Sequence, residues 1–196
     1  MSGADVIDAL AGLAPGSAMA AIRERKPVTR AQAQASYAAL FEPAEVGSVS
    51  LQERFAVAVF VAGLHGEADI AGFYRAGLVR SGASDVLVAA VYDAVARGRT
   101  TGPYGAFPPG PLSVEDGTGP VFLAAAEGLG ERLAAALGHV HMLVFHPRDA
   151  DAASLQALLN AGWSNGGIVT VSQLVAFLAF QIRTAAGLRV LAETAA

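Results

Sequence analysis

Apolar positions recur with a helical period along most of this chain, and glycine, proline and serine cut the pattern into segments. Two-residue alternation of β-branched side chains is almost absent, while Ala and Leu dominate, so the expected elements are helices. A first amphipathic helix is expected over 5–13, stopped by Pro15-Gly16. Pro27-Val28-Thr29 interrupts the chain, and Thr29 is placed to cap a helix over 30–41 that Pro43 and Gly47 end. Ser50 and Glu53 have the spacing of a capping box, in which each side chain satisfies the other's free amide. The helix it opens runs to residue 64, with Phe55, Val59 and Ala62 among its inward positions. Gly66 permits a sharp turn into a helix over 67–80, Gly82 closes that helix, and Ser84 caps another over 85–97.

The pattern then breaks. Residues 98–119 are rich in glycine and proline, and Phe107-Pro108-Pro109-Gly110-Pro111 favours extended backbone. So long an irregular segment is either an interaction arm or a connector. A further Ala/Leu helix is expected over 120–144, broken at His146-Pro147, then one over 152–161 capped by Asp149 or Asp151. After a turn at 163–167, a long apolar helix over 168–186 is closed by Gly187. An internal echo links the halves: Leu64-His65 through Gly82 and Ser84 has a counterpart in Phe145-His146 through Gly162 and Ser164. Glu53-Arg54 likewise echoes Glu131-Arg132. The order suggests a duplicated helical unit.

Composition changes the picture in one respect. Hydrophobic residues make up 54% and charged residues 15%, against roughly 25% charge in an ordinary soluble domain. Such a chain hides apolar surface in a membrane or in an assembly. The most apolar run, 168–182, is short of the about 20 residues that a membrane helix needs and holds Thr170, Ser172, Gln173 and Gln181. It reads as a buried helix in a homo-oligomer, with no membrane partner. A net charge of −4 argues against nucleic acid as a partner, no basic stripe is visible, and the cluster Arg23, Arg25, Lys26 and Arg30 reads as a solvated helix end. The first ten residues lack the pattern of a secretory signal, which with the absence of cysteine fits a cytoplasmic protein.

Residues 50–78 carry a resemblance. After its apolar helix the chain reads His65-Gly66-Glu67-Ala68-Asp69-Ile70-Ala71-Gly72-Phe73-Tyr74. This resembles the alkylhydroperoxidase D-like and carboxymuconolactone decarboxylase family, whose peroxidase branch has Asn-Gly-Cys-x-x-Cys-x-x-x-His in that frame. The run from Leu155 to Ser164, then Ile168-Val169 and Val175 to Arg183, is similar to the tail of peroxidase-related members. The resemblance implies an all-α bundle with two related halves: an N-terminal extension at 1–48, helical units at 49–97 and 120–196, and the arm at 98–119 between them. Glu67 and Ile70 stand where the cysteines belong, Tyr74 where the histidine belongs, and Phe55 where a family glutamate would be. The redox cycle needs an attacking thiolate and a resolving thiol, and this chain has neither.

Three functions follow as expectations. The first is a non-redox subunit of the family, paired with a CxxC-bearing paralogue. The second is a cofactor-independent acid–base enzyme acting on a small organic acid or lactone, as the decarboxylase branch implies. There Glu67 and Tyr74 share a helix face for proton transfer, His65 faces the same cavity, and Arg75 neutralises a substrate carboxylate. The third is a small-ligand-binding or structural oligomer. Glu67 equally suits a helix N-terminus, Tyr74 a core and His65 a helix C-terminus. His139 and His141 would share a face only on a strand, so on a helix they point apart and no metal site is expected. His146 reads as a helix terminus and Trp163 as core or interface. No cofactor is implied.

Overall fold

Side-chain caps start most of the helices. The computed structural model describes residues 5–194, and among these nine α-helices and two short 3-10 turns form an all-α fold without a strand. The reading of the first ten residues as no secretory signal falls partly on 1–4, outside the described residues. By internal packing, residues 5–45 with 177–194 form one unit and residues 46–176 another.

In the first unit, α1 (Val6–Ala11) is capped by Asp5 and ends at Gly12, whose φ of 67° stops it before Pro15-Gly16. Ser17 opens α2 (Ala18–Glu24), a helix absent from the sequence expectations. Helix α3 (Pro27–Phe41) starts before Thr29, because proline at a first helical position needs no amide partner. The cluster expected as a solvated helix end is partly internal. The Arg23 guanidinium, 9% exposed, lies 2.9 Å from Asp5 and 3.0 Å from Asp8, and Arg30 lies 2.7 Å from Asp8.

In the second unit, α4 (Leu51–Leu64) is opened by the Ser50–Glu53 capping box and buried on every side from Ala56 to Ala62. A helix apolar all round needs neighbours all round. Helices α5 (Ala68–Arg80), α6 (Asp85–Gly98) and α7 (Glu131–Phe145) supply them. Arg132, on α7, bonds Glu53 at 2.7 Å and sits 3.9 Å over the Trp163 ring, so its charge is spent fastening the start of α4.

Two of the segments matched in the sequence end in the same kind of turn. After α5, Gly82 (φ 86°) donates to Val79 and Ala83 to Leu78; after α8 (Ala152–Asn160), Gly162 (φ 87°) donates to Leu159 and Trp163 to Leu158. A left-handed glycine permits the same helix ending in both places.

Two expected helices change length. Residues 120–130 are not helical, and α7 starts only at Glu131. Gly128 and Gly130 hold φ of 73° and 78°, and Gly128 lies so close to α6 that a Cβ would stand 2.8 Å from Ala90. Helix α9 (Asn165–Thr194) has 30 residues and runs straight through Gly187. A mid-helix glycine costs only about 1 kcal/mol, too little to end it. Among the described residues, α9 is the one helix long and apolar enough to cross a membrane by length and composition. Its buried residues Ile168, Val171, Val175, Leu178, Ile182 and Ala185 follow a single stripe, and Val169, Phe180 and Val190 on other faces are exposed.

Candidate functional site

One face of α7 lines a cavity of about 710 Å³. Ala135, His139, Met142 and His146 recur there at helical spacing, and the non-helical segment Val121 to Ala124 and helix α8 complete the wall. The absence of helix over 121–124 thus bears on the site, because this non-helical stretch forms one of its walls.

His146 ends α7 and precedes Pro147. Proline pushes the residue before it out of the helical region, and His146 has φ −144° and ψ 57°. The following 3-10 turn, Pro147–Asp149, brings Asp149 back beneath the ring. His146 Nδ1 lies 2.9 Å from Asp149 Oδ2, while Nε2 is buried without a partner. The Ala106 amide, donating to Asp149 Oδ1 at 3.0 Å, and then His146 itself hold the Asp149 carboxyl below the usual carboxylate range. Asp149 is thus an anion that accepts from Nδ1–H, and an uncharged imidazole so held carries its lone pair on Nε2. Gly105, at φ 104°, makes room for the carboxylate; a Cβ there would stand 2.8 Å from Asp149 Oδ1.

The arm packs on this pair. Tyr104 stacks on the His146 ring with centroids 4.7 Å apart, its amide donates to Phe145 O, and its hydroxyl donates to Pro120 O at 2.7 Å. A smaller cavity of about 240 Å³ opens on that side, lined by Tyr104, His146 and Asp149, so His146 lines both spaces. Far from being merely extended, 98–119 makes a Gly105–Gly117 bridge and a 3-10 turn over Pro111–Glu115.

His139 and His141 point apart on α7. His141 Nε2 donates to Gly98 O at 2.9 Å, and the ring packs against Phe122 and Phe145. His139 lines the larger cavity, is 7% exposed, and has no partner on either ring nitrogen. Desolvation lowers the pKa of both rings; for His141 the Gly98 contact opposes it and nearby His146 adds to it. Among the described residues, no group of three His, Asp or Glu side chains is disposed to hold a metal ion.

The residues singled out from the sequence lie at the α4–α5 junction. His65 caps α4 and its Nδ1 donates to Val61 O at 3.1 Å. Glu67 is the N-cap of α5 and half-buried, while Tyr74, at 0% exposure, stands edge-on to Phe73 at 5.2 Å. Arg75 is exposed on another face of α5, so the structure gathers His65 and Glu67 at one turn but separates Arg75 from buried Tyr74. From the sequence, His139 is considered only as a metal ligand, His146 as a helix terminus and Asp149 as one of two caps, and none of them as part of a site. The available signal was the seven-residue spacing of two histidines on a helix face, followed by His-Pro-x-Asp. Set beside known proteins, the chain matches no family model, no curated sequence and no solved structure.

Proposed function

We propose that the second unit is a cofactor-independent acid–base catalyst for a small molecule bound against α7. His146 Nε2 takes a proton from the substrate, and Asp149 orients the ring and stabilises the imidazolium that forms. The observation that carries this reading is one imidazole with Nδ1 held by a carboxylate and Nε2 buried, unpartnered, in a cavity wall. A buried ring nitrogen without a partner loses about 1–3 kcal/mol of hydrogen bonding, which a bound substrate would restore. The reaction class is proton abstraction beside a carbonyl, or activation of water on a lactone.

The test is deuterium exchange and ring opening across a panel of enolisable ketones and lactones with the purified chain. Wild type is expected to turn over at least one of them. His146→Gln should lose about 10²–10⁴-fold in rate, with Asp149→Asn intermediate. Full activity in His146→Gln would remove the proposal. Loss in Glu67→Gln alone would move the chemistry to the α4–α5 junction, with Glu67, Tyr74 and His65.

A second reading is a non-redox member of the alkylhydroperoxidase D-like family that assembles with itself or with a CxxC-bearing paralogue in the cytoplasm. The repeated glycine-ended turns and the exposed Val114, Val121 and Leu123 favour it. With no cysteine, the chain runs no thiol peroxidase cycle by itself. Light scattering of the chain alone and mixed with such a paralogue tests the assembly, and a monomer in both would defeat it.

A further inference from the structure

We infer that the α7 cavity selects an uncharged, elongated, largely apolar molecule that hydrogen-bonds His139 at one end and meets His146 at the other. The inference rests on the acid–base reading of the same site and names its substrate class.

Charge comes first. Among the described residues, no Arg or Lys lines the cavity, and the one carboxylate there is Glu131, in the first turn of α7. A carboxylate ligand would leave water without a cation to receive it, at a cost of several kcal/mol. Arg75, the sequence-level candidate for that task, is exposed on α5 and does not line this space. The small organic acid is therefore the less fitting half of the expected substrate pair, and the neutral lactone or ketone the better one.

Length comes second. His139 and His146 are seven residues apart on one helix, close to two turns, which places them on one face about 10 Å apart along the axis. A single carbonyl does not span that distance. His139, buried with both ring nitrogens unpartnered, can donate from one and accept at the other, so it suits a hydroxyl or a carbonyl. Met142 lies between the two histidines on the same wall and offers an adaptable apolar contact for the middle of the ligand. Desolvation keeps the His139 ring uncharged near neutral pH, which disfavours an anion further.

Three probes test the inference on the purified full chain by histidine ring NMR. The first is 4-(4-hydroxyphenyl)butan-2-one, uncharged, with a phenol at one end and an enolisable ketone at the other. The second is 3-(4-hydroxyphenyl)propanoate, its carboxylate counterpart, and the third is 4-phenylbutan-2-one, which lacks the hydroxyl. The hydroxyketone is expected to shift both the His139 and His146 signals and to bind at least about tenfold tighter than the propanoate, the scale of a lost ion pairing. His139→Leu should weaken the hydroxyketone about tenfold, the worth of one hydrogen bond, and leave 4-phenylbutan-2-one unchanged. His139→Gln, which keeps a polar end, should recover most of that affinity and guards against a folding defect in the leucine variant.

Equal or tighter binding of the propanoate, or no histidine shift with any probe, overturns the inference. Deuterium exchange into the bound ketone separates the two proposals. Selective binding without exchange upholds the ligand class and defeats proton transfer; exchange without selectivity does the reverse.

Discussion

Two helix–turn–helix segments of the second unit share a plan and differ in packing. Around α4 and α5 the space is filled: Phe55 presses on Gly77 and Val95 on Gly63, so closely that a Cβ would lie 2.2 Å and 2.6 Å from them. Around α7 and α8 the space is left open as the larger cavity. Each segment has a histidine at the end of its first helix, and the next residue decides its use. After His65 comes Gly66, at φ 76°, and the ring closes on its own helix at Val61. After His146 comes Pro147, and the turn it forces delivers Asp149 to the ring. A terminal histidine bonds its own helix in one setting and a carboxylate in the other.

Adding a methyl group to each side is the sharpest way to break that contrast. Gly77→Ala should destabilise the chain by about 1–3 kcal/mol, because the Phe55 ring must leave a filled position. Gly138→Ala on α7 meets only Phe122 O at 3.4 Å and gains helix propensity, so it should stabilise by about 0.5–1 kcal/mol. Urea denaturation of both variants measures the difference, and equal effects would mean that the two segments are packed alike.

A pH series probes the buried imidazoles of α7 against the cap of α4. Burial holds His139 and His141 below the ordinary imidazole value of 6.5. The unfolded chain then binds protons that the folded chain refuses, so stability falls as pH drops through about 6.5 and recovers above it. His139→Leu should flatten the urea midpoint between pH 7.5 and 5.5, and an unchanged slope would count against a buried neutral ring. The smallest effect is expected from His65→Ala. It should cost at most about 1 kcal/mol, the worth of one partly exposed hydrogen bond, and leave probe binding at α7 untouched.

Much of the fold is legible in the sequence because caps are local. Ser50 with Glu53, Ser84, Asp151, Gly82 and Gly162 each act within a few residues of themselves, and each takes the expected place. Expectations failed where a local signal competed with distant contacts. The run 120–130 has helical composition, yet Gly128 packs against α6 and the helix waits for Glu131. Thr29 looked like a cap but lies inside α3, since Pro27 already begins that helix.

The sequence by itself determined an all-α chain, most helix ends, and the absence of any thiol chemistry, because propensity, capping and composition are properties of neighbouring residues. Only the tertiary structure decided which polar groups share a space. Asp149 reaches His146 through a turn, but the Ala106 amide that helps hold it comes from the arm, and the cavity is walled by a segment before α7 that stays out of the helix and by α8. Such a site depends on where chain segments meet and on what they leave unfilled, which no local pattern records.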